Sequence, residues 1–339
     1  MTQKERPDSS QDVLIEPTAI DRWPRGIACE DGFRILGTPI GFGRAKGASL
    51  RFISHVDEPT PTRGTRVLTT PFIATALDWK RRGLDALTLG YDRKIRLGRM
   101  DIRLLPAGLG PGAAQLEVSF KERRIVFMGG IRLAGPIASP AAEFPECDLL
   151  LLDTGPAEPR PPSPKRATAQ IVEWLNSTTS LGRVPVLAAG SLTAAIDVAW
   201  SLRNVDISIR ACRSLFEMLR RIEEVGYSLP RLKRLEQELP KGEAVLHLGR
   251  VWPDLSMASE KSAAAAYVGP GRAKPPWAEV AFRLGEGEDR PGLVTYVKKT
   301  GASQVAVGPR CDEATAVMLR KAGVSVYRVS DPTQLPLPF

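Results

Sequence analysis

Short apolar runs separated by Pro and Gly occupy the first half of the chain, and each is about as long as one strand. Examples are GIAC at residues 26–29, FRIL at residues 33–36, and Arg66–Thr69. Runs of this length bounded by turn residues are typical of strands. The run Leu149–Leu152 is apolar at every position and is followed by Asp153. It predicts a buried strand that presents a carboxylate at its carboxyl end.

The second half of the chain alternates between strand and helix patterns. Val184–Ala189 predicts a strand, and Ser191 and Asp312 are expected to cap the helices that follow them. Residues 228–242 are charged and flanked by Pro, which favours a helix on the outside of the molecule. Residues 252–280 show no period and are interpreted as irregular. The alternation indicates the α/β class, with helices covering a largely parallel sheet.

The length and the charge of the chain indicate how many domains it can form and what kind of partner it can bind. The 339 residues are enough for two domains with a substantial core. The net charge of +9 favours polyanionic partners, of which nucleic acid is the commonest. A solvated, Arg-rich surface would give the same totals, so the charge alone leaves both interpretations open.

The cysteines and the apolar runs indicate a cytoplasmic protein. The four cysteines are far apart and form no CxxC pair, which argues against a zinc ribbon or a disulfide scaffold and suits a reducing compartment. The polar N-terminus has no signal-peptide core, and no apolar run is long enough to cross a bilayer. We therefore expect no membrane association.

A lone histidine follows the apolar stretch Phe52–Ser54. His55 is one of two histidines in the chain, and a strand ending here would deliver it to the rim of a sheet. Zinc needs four ligands in a structural site and three plus a water in a catalytic one. Asp57, Pro59 and Thr60 stand where further ligands would be needed. The stretch has the form of a metal site that has lost most of its ligands.

Several segments along the chain share the framework of one known family. They are Phe52-Ile53-Ser54-His55, Pro106-Ala107-Gly108 with Gly112-Ala113-Ala114-Gln115, Met128-Gly129, Cys147 through Thr154, Leu284 to Leu293, and Thr300 to Arg310. This order of motifs resembles the metallo-β-lactamase/β-CASP nucleases. Within them it is most similar to the bacterial ligase-associated exonucleases, which are related to mRNA 3′-end processing factors.

The resemblance implies an α/β fold, specifically a metallo-β-lactamase αββα sandwich with an inserted α/β domain of the β-CASP type. It divides the chain into a disordered lead-in, the sandwich core, the insert, a return segment that completes the core, and a tail. These parts correspond to residues 1–12, 13–165, 166–280, 281–329 and 330–339.

The resemblance also implies a set of metal ligands that this chain lacks. At its ligand positions this chain carries Asp57 and Thr60, and five residues that have no side-chain donor atom: Pro59, Leu109, Gly130, Gly287 and Pro309. His55 and Asp153 are the remaining ligand-like residues. A two-zinc hydrolase needs its ligands to hold the metals that activate water and clamp phosphate oxygens. We therefore expect no metal, no cofactor and no catalytic residues.

Two other functions stay open at this point. The chain could be an active DNA or RNA exonuclease with a rearranged metal site around His55, Asp57, Glu58 and Asp153. It could also be a structural partner of an active nuclease. The second histidine outside the motifs, His247, lies in an apolar strand pattern and is expected to be a core or surface residue.

The chain ends in Gln334-Leu335-Pro336-Leu337-Pro338-Phe339. This peptide resembles the short motif with which bacterial polymerases and repair factors bind the sliding clamp. Its prolines keep it extended and lower the entropy lost on docking. Leu335, Leu337 and Phe339 could fill an apolar pocket while Gln334 bonds the pocket rim. The alternative is a tail that packs on its own domain.

Three basic clusters are candidates for a nucleic-acid surface. The first cluster, Lys80–Arg82, forms the end of a helical pattern over Ile73–Arg82, and cations are favourable at a helix C-terminus. The third cluster lies between two apolar runs that together predict a hairpin. Either the clusters line the family's nucleic-acid groove or they are scattered, solvated charge. They comprise Lys80, Arg81 and Arg82; Arg93, Lys94 and Arg96; and Lys121, Arg123 and Arg124.

Together these features predict a catalytically inactive exonuclease-like protein of bacterial DNA repair or replication. The expected partners are the sliding clamp, DNA or RNA, and a repair enzyme such as a ligase, helicase or polymerase.

Overall fold

The first sheet is built from the short apolar runs near the N-terminus. In this computed structural model its six strands lie side by side in chain order. They are β1 (Gly26–Cys29), β2 (Phe33–Leu36), β3 (Ile40–Phe42), β4 (Leu50–Phe52), β5 (Arg66–Thr69) and β6 (Asp85–Thr88). The first three are antiparallel and the remaining neighbours are parallel. The structure describes residues 26–29, 31–91, 93–133, 137–155, 157, 162–236, 242–249, 262–270, 274–284 and 287–328.

The second sheet combines an antiparallel meander with three parallel strands from distant parts of the chain. Its seven strands lie in the order β19-β18-β11-β10-β9-β8-β7. They are β7 (Lys94–Leu97), β8 (Met100–Pro106), β9 (Ala114–Phe120), β10 (Arg123–Met128), β11 (Leu149–Leu152), β18 (Gln304–Val307) and β19 (Ser325–Arg328). The predicted hairpin is confirmed as the antiparallel pair of β9 and β10.

Alternation along β10 shows how the layers are stacked. Ile125 and Phe127 face the first sheet, and the Phe127 ring stacks on Phe42 with centroids 4.2 Å apart. Val126 and Met128 point the other way, as the two-residue period of a strand requires. They pack against helices α5 (Arg290–Thr300) and α6 (Glu313–Lys321). Two sheets therefore enclose one core, and helices cover the outer face of the second sheet. We call this unit the core lobe.

The third sheet is parallel throughout and carries its own helices. Its order is β14-β13-β15-β12-β16-β17, and all its pairs are parallel. The strands are β12 (Val184–Ala189), β13 (Ile209–Ala211), β14 (Leu232–Arg234), β15 (Ala244–Leu248), β16 (Ala263–Gly269) and β17 (Val280–Arg283). Helices α2 (Pro164–Ser180), α3 (Leu192–Ser201) and α4 (Arg213–Glu224) accompany them. We call this unit the insert lobe; its sheet extends to Arg283, just past the expected boundary at 280.

One short helix joins the two lobes. Helix α1 (Pro71–Ala76) follows β5, and its Phe72 and Ile73 belong to the same apolar cluster as the helices of the insert lobe. The Phe72 ring meets Tyr227, which follows α4, edge-on at 4.8 Å. The lobes thus share a continuous apolar interface.

Three predicted elements were wrong. The helix expected over Ile73–Arg82 ends at Ala76, so the first basic cluster lies in a turn and does not stabilise a helix terminus. Within 228–242, Leu232–Arg234 forms a parallel edge strand. The region 252–280 contains β16, whose Ala-rich sequence has low strand propensity but is buried between β12 and β17. Central burial outweighed local preference there.

Two of the segments predicted from the sequence are not among the residues that the structure describes. The lead-in at 1–12 and the tail at 330–339 lie outside the described residues. Among the helices in the described ranges, none combines the length and apolarity that crossing a bilayer requires.

Candidate binding cleft

A cavity of about 210 Å³ opens where strands of the two lobes end. Gly129 and Gly130 follow β10, Thr154 and Gly155 lie just beyond β11, and Pro270 follows β16 of the insert lobe. The carboxyl ends of parallel strands are where α/β proteins usually form ligand sites. We call this cavity the cleft.

Positions that are distant in sequence meet around the cleft. His55, Leu109, Gly130 and Gly287, each a ligand position in the resemblance, all line it. Gly130 and Leu109 are adjacent, since a Cβ built on Gly130 would lie 3.0 Å from Leu109 Cδ2. The motif frames therefore converge on one place, and at three of these four positions the side chain offers no donor atom.

His55 is held by the residues around it. Ser54 Oγ lies 2.9 Å from His55 Nδ1 and also hydrogen-bonds Glu58, whose Oε1 accepts the Ser54 backbone N–H at 2.9 Å. With the Ser54 hydroxyl donating to Glu58, His55 Nδ1 is the donor to Ser54. Burial alone would raise the pKa of Glu58, but hydrogen bonds from His55 and Ser54 outweigh it and lower that pKa.

Asp153 lies buried beside the cleft and is bound by Arg310. Arg310 Nε and Nη2 lie 3.1 Å and 3.0 Å from Asp153 Oδ2, and the Arg310 backbone N–H also donates to this carboxylate. Burial raises the pKa of Asp153; Arg310 opposes that shift and the Glu58 charge adds to it. Arg310 also lines the cleft, so its guanidinium brings a positive charge to this wall. Sequence reasoning missed it, although it immediately follows Pro309.

Asp57 points away from His55, towards the insert lobe. Its Oδ1 accepts the backbone N–H of Leu192 at 2.7 Å, and its Oδ2 accepts that of Thr193 at 3.0 Å. These are free N–H groups at the start of α3, where a carboxylate is stabilised by the helix dipole. Glu58 turns the opposite way, towards Ser54. The rearranged site proposed from sequence is thus only partly assembled, because Glu58 Oε1 lies 3.6 Å from His55 Nδ1 while Asp57 is bound to α3.

The donor set does not fit a divalent metal. Across the described ranges, no group of three or more His, Cys, Asp or Glu side chains is arranged to hold one. Leu109, Gly130, Gly287 and Pro309 contribute no side-chain ligand, and one guanidinium already binds Asp153. His247 is half-buried on β15 and is not among the residues that line the cleft.

A buried ion pair links the lobes behind the cleft. Arg132 Nη2 and Asp197 Oδ2 are 2.7 Å apart, and both side chains are almost fully buried. Arg132 belongs to the loop after β10 and Asp197 to α3. Sequence reasoning did not identify this pair, because nothing local to either residue indicates the other.

The basic clusters lie in two different places. Arg96 forms an ion pair with Asp101. In the sheet register, Ser119 of β9 lies between Asp101 of β8 and Arg124 of β10. The second and third clusters therefore lie at the same end of the second sheet. β10 runs from that end to the cleft, a distance of about 17 Å along the strand. Arg123 pairs with Asp148. The first cluster, Lys80–Arg82, is exposed in the turn after α1.

Comparison with known proteins gives a structural neighbour and no family. No protein-family model matches the chain. No curated protein matches it. A crystal structure of a protein of unknown function from Enterococcus faecalis V583 has a similar fold, with a TM-score of 0.53 and 11% sequence identity. The alignment covers 76% of this chain and 74% of that one. The two chains thus share a fold, which is mixed α/β.

Proposed function

We propose that this chain is a non-catalytic relative of the metallo-β-lactamase/β-CASP nucleases that acts in bacterial DNA repair or replication. Its two packed sheets with outer helices would be the αββα sandwich, and the parallel sheet of the insert lobe the β-CASP-like domain. The layering of the core lobe and the insertion of the third sheet between β11 and β18 support this assignment. A fold outlives its chemistry, so the fold alone does not assign the activity.

The observation that carries the proposal is the composition of the cleft. Four ligand positions of the resemblance line the cleft, and besides His55 they carry the hydrocarbon side chain of Leu109 or the bare backbone of Gly130 and Gly287. Two-metal hydrolysis requires side chains that hold the ions and orient water between them. Arg310 supplies a fixed positive charge beside Asp153, but a guanidinium neither coordinates nor ionises a water molecule.

Metal analysis and nuclease assays of the full chain test the absence of catalysis. We expect no stoichiometric zinc or manganese after purification, and no cleavage of DNA or RNA above that of a chelator-treated sample. Two bound zinc ions together with cleavage that chelator and His55→Ala both abolish would overturn the proposal. That result would favour the alternative, an active exonuclease with a rearranged metal site. The position of Asp57 argues against this alternative, because its carboxylate binds the Leu192 N–H of α3.

The partner we propose is the bacterial sliding clamp, bound in the cytoplasm by the C-terminal peptide. Gln334, Leu335, Leu337 and Phe339 follow the spacing of such peptides, and they lie beyond the described residues. Clamp binding would bring the protein to DNA and to clamp-associated enzymes such as a ligase, helicase or polymerase. Nucleic acid is the second proposed partner, in keeping with the net charge of +9.

Surface plasmon resonance with immobilised clamp tests the role of the peptide. The full chain is compared with one lacking residues 334–339, with Leu335→Ala/Leu337→Ala, and with Thr333→Ala as the matched control. Loss of binding in the first two variants and normal binding in the control are expected. Equal binding by all four proteins would rule out the peptide as the clamp contact.

A further inference from the structure

The surface where the lobes meet carries exposed cations that form no ion pair with a carboxylate of the described residues. Arg63, Lys80, Arg81 and Arg82 are all exposed, and no described carboxylate lies within ion-pair distance of any of them. Exposed cations that are not neutralised locally are the usual electrostatic footprint of a polyanion site.

Tertiary packing brings these cations beside two more from the insert lobe. A Cβ built on Gly83 would lie 3.7 Å from Arg63 Nε, which places Arg63 beside the turn that carries Lys80–Arg82. On the other side of the turn, Arg81 lies close enough to Glu217 of α4 to lower the pKa of that carboxyl, although Arg213 has the larger effect. The turn is therefore flanked by both lobes. We call the set Arg63, Lys80, Arg81, Arg82, Arg213 and Arg221 the junction surface.

The junction is held together by Arg221. This α4 side chain donates to the carbonyl oxygens of Thr75 and Ala76 at 3.2 Å and 3.0 Å, at the C-terminus of α1, and lies 3.8 Å from Asp78. Arg221 thus satisfies carbonyls that end α1 and fixes α4 beside the basic turn. The arrangement of cations from two lobes is a property of the folded chain.

The charge balance of the junction surface is strongly positive. Two of its six cations are paired with carboxylates, Arg213 with Glu217 and Arg221 with Asp78. The neighbouring Asp85 and Glu223 are already paired with Arg66 and Arg220. In the other two basic clusters, Arg96, Arg123 and Arg124 each form an ion pair with a carboxylate. Of the three clusters, the first is the one in which no cation forms an ion pair with a carboxylate of the described ranges.

We propose that the junction surface binds the phosphate backbone of nucleic acid, outside the cleft and across both lobes. The inference rests on the proposed nucleic-acid partner and gives it a location. Guanidinium and ammonium groups suit phosphate oxygens. The aromatic residue in this turn, Trp79, is 1% exposed and cannot stack on bases. Binding is therefore independent of sequence and strongly dependent on salt.

Fluorescence anisotropy with a labelled DNA duplex tests the location. The triple variant Lys80→Ala/Arg81→Ala/Arg82→Ala is compared with Arg93→Ala/Lys94→Ala/Arg96→Ala, which removes the same charge from the far end of the second sheet. Each lost phosphate contact lowers the salt slope by about 1, so the first variant should lose a slope of about 3 and bind at least about 10-fold more weakly. The control should bind as the unaltered chain does, and urea midpoints verify that both variants fold.

The outcomes separate this inference from the proposed function. If the unaltered chain binds DNA and the junction triple binds equally well, or both triples weaken equally, the junction surface is wrong while the nucleic-acid partner stands. If the unaltered chain shows no salt-dependent binding at all, both the surface and that partner are wrong, whereas clamp binding is judged by its own assay. Tighter binding of polyglutamate than of DNA would assign the surface to an acidic protein and overturn the inference.

Discussion

Arg310 contacts Asp153 through two nitrogens, Nε and Nη2, at 3.1 Å and 3.0 Å from the same oxygen, Oδ2. The carboxylate is 97% buried on its side chain and the guanidinium is partly exposed beside the cleft. A buried carboxylate is costly unless a charge and hydrogen bonds compensate it, and here one side chain supplies both. The compensation is partial, because burial still raises the pKa of Asp153 despite Arg310.

Removing Arg310 should destabilise the fold in a pH-dependent way. Arg310→Met leaves Asp153 without its side-chain partner and should cost about 1–3 kcal/mol at neutral pH. The folded-state pKa of Asp153 is already raised above 3.8, chiefly by burial, and losing Arg310 raises it further. The folded state then holds a proton that the unfolded state has released, so stability falls as pH rises through that window. Urea unfolding at several pH values should show a smaller loss in acid than at neutral pH.

The control for that pH dependence is Asp153→Asn, which cannot titrate. In the Asp153→Asn background, Arg310→Met should change stability by an amount that is constant with pH. A loss in the single variant that is equal at acidic and neutral pH would show that the Asp153 charge is not what Arg310 compensates.

Asp57 should stabilise the start of α3 from the other lobe. Asp57→Asn keeps the shape but removes the charge and one of the two acceptor oxygens used by Leu192 and Thr193. We expect a loss of about 1–2 kcal/mol in unfolding free energy and faster hydrogen exchange of those two amides. Asp206→Asn is the control, because Asp206 is exposed. Unchanged exchange at Leu192 and Thr193 would contradict the role of Asp57.

Removing one partner of the buried Arg132–Asp197 pair should lower the unfolding free energy far more than replacing both partners with apolar residues. Arg132→Met leaves the fully buried Asp197 carboxyl without its charge partner, which should cost about 3–5 kcal/mol. Adding Asp197→Leu removes that carboxyl and should recover most of that loss. The four proteins of the cycle are compared by urea unfolding. A double variant as unstable as the sum of its single variants would mean that the residues act independently.

Close packing around Asp153 requires a glycine at position 308. A Cβ built on Gly308 would lie 2.4 Å from Asp153 Oδ1, so the alanine cannot fit unless the carboxylate moves. Gly308→Ala should cost about 1–3 kcal/mol in thermal or urea unfolding. Gly287→Ala, in the wall of the cleft, is the matched control, since no described atom lies within 4 Å of its added methyl group. Equal effects of the two substitutions would show that the Gly308 contact is unimportant.

Local chemistry made several elements predictable. The strands over Arg66–Thr69 and Val184–Ala189 occur with the expected bounds, because a short apolar run between turn residues has few alternatives. Ser191 and Asp312 cap α3 and α6 by accepting the N–H groups of Ala194 and Thr315. These outcomes depend on contacts within a few residues.

Elements decided by distant contacts were predicted poorly. The helical spacing of apolar residues continues past Ala76, yet the helix ends there. Arg221 of α4 donates hydrogen bonds to the last carbonyl oxygens of this helix. The alanines of β16 look unfavourable for a strand, but neighbouring strands bury them on both sides. In each case the deciding partner is remote in sequence, so no local pattern could reveal it.

The amino-acid sequence by itself determined which donor atoms the chain can offer at the motif positions, because a Leu, Gly or Pro side chain lacks a ligand in any conformation. Only the tertiary structure decided which of the remaining charged groups meet. Asp57 and Leu192 are 135 residues apart, and Asp153 and Arg310 are 157 apart. Those pairs, like the cations at the junction of the lobes, are joined by the packing of sheets and helices, and side-chain chemistry alone does not specify that packing.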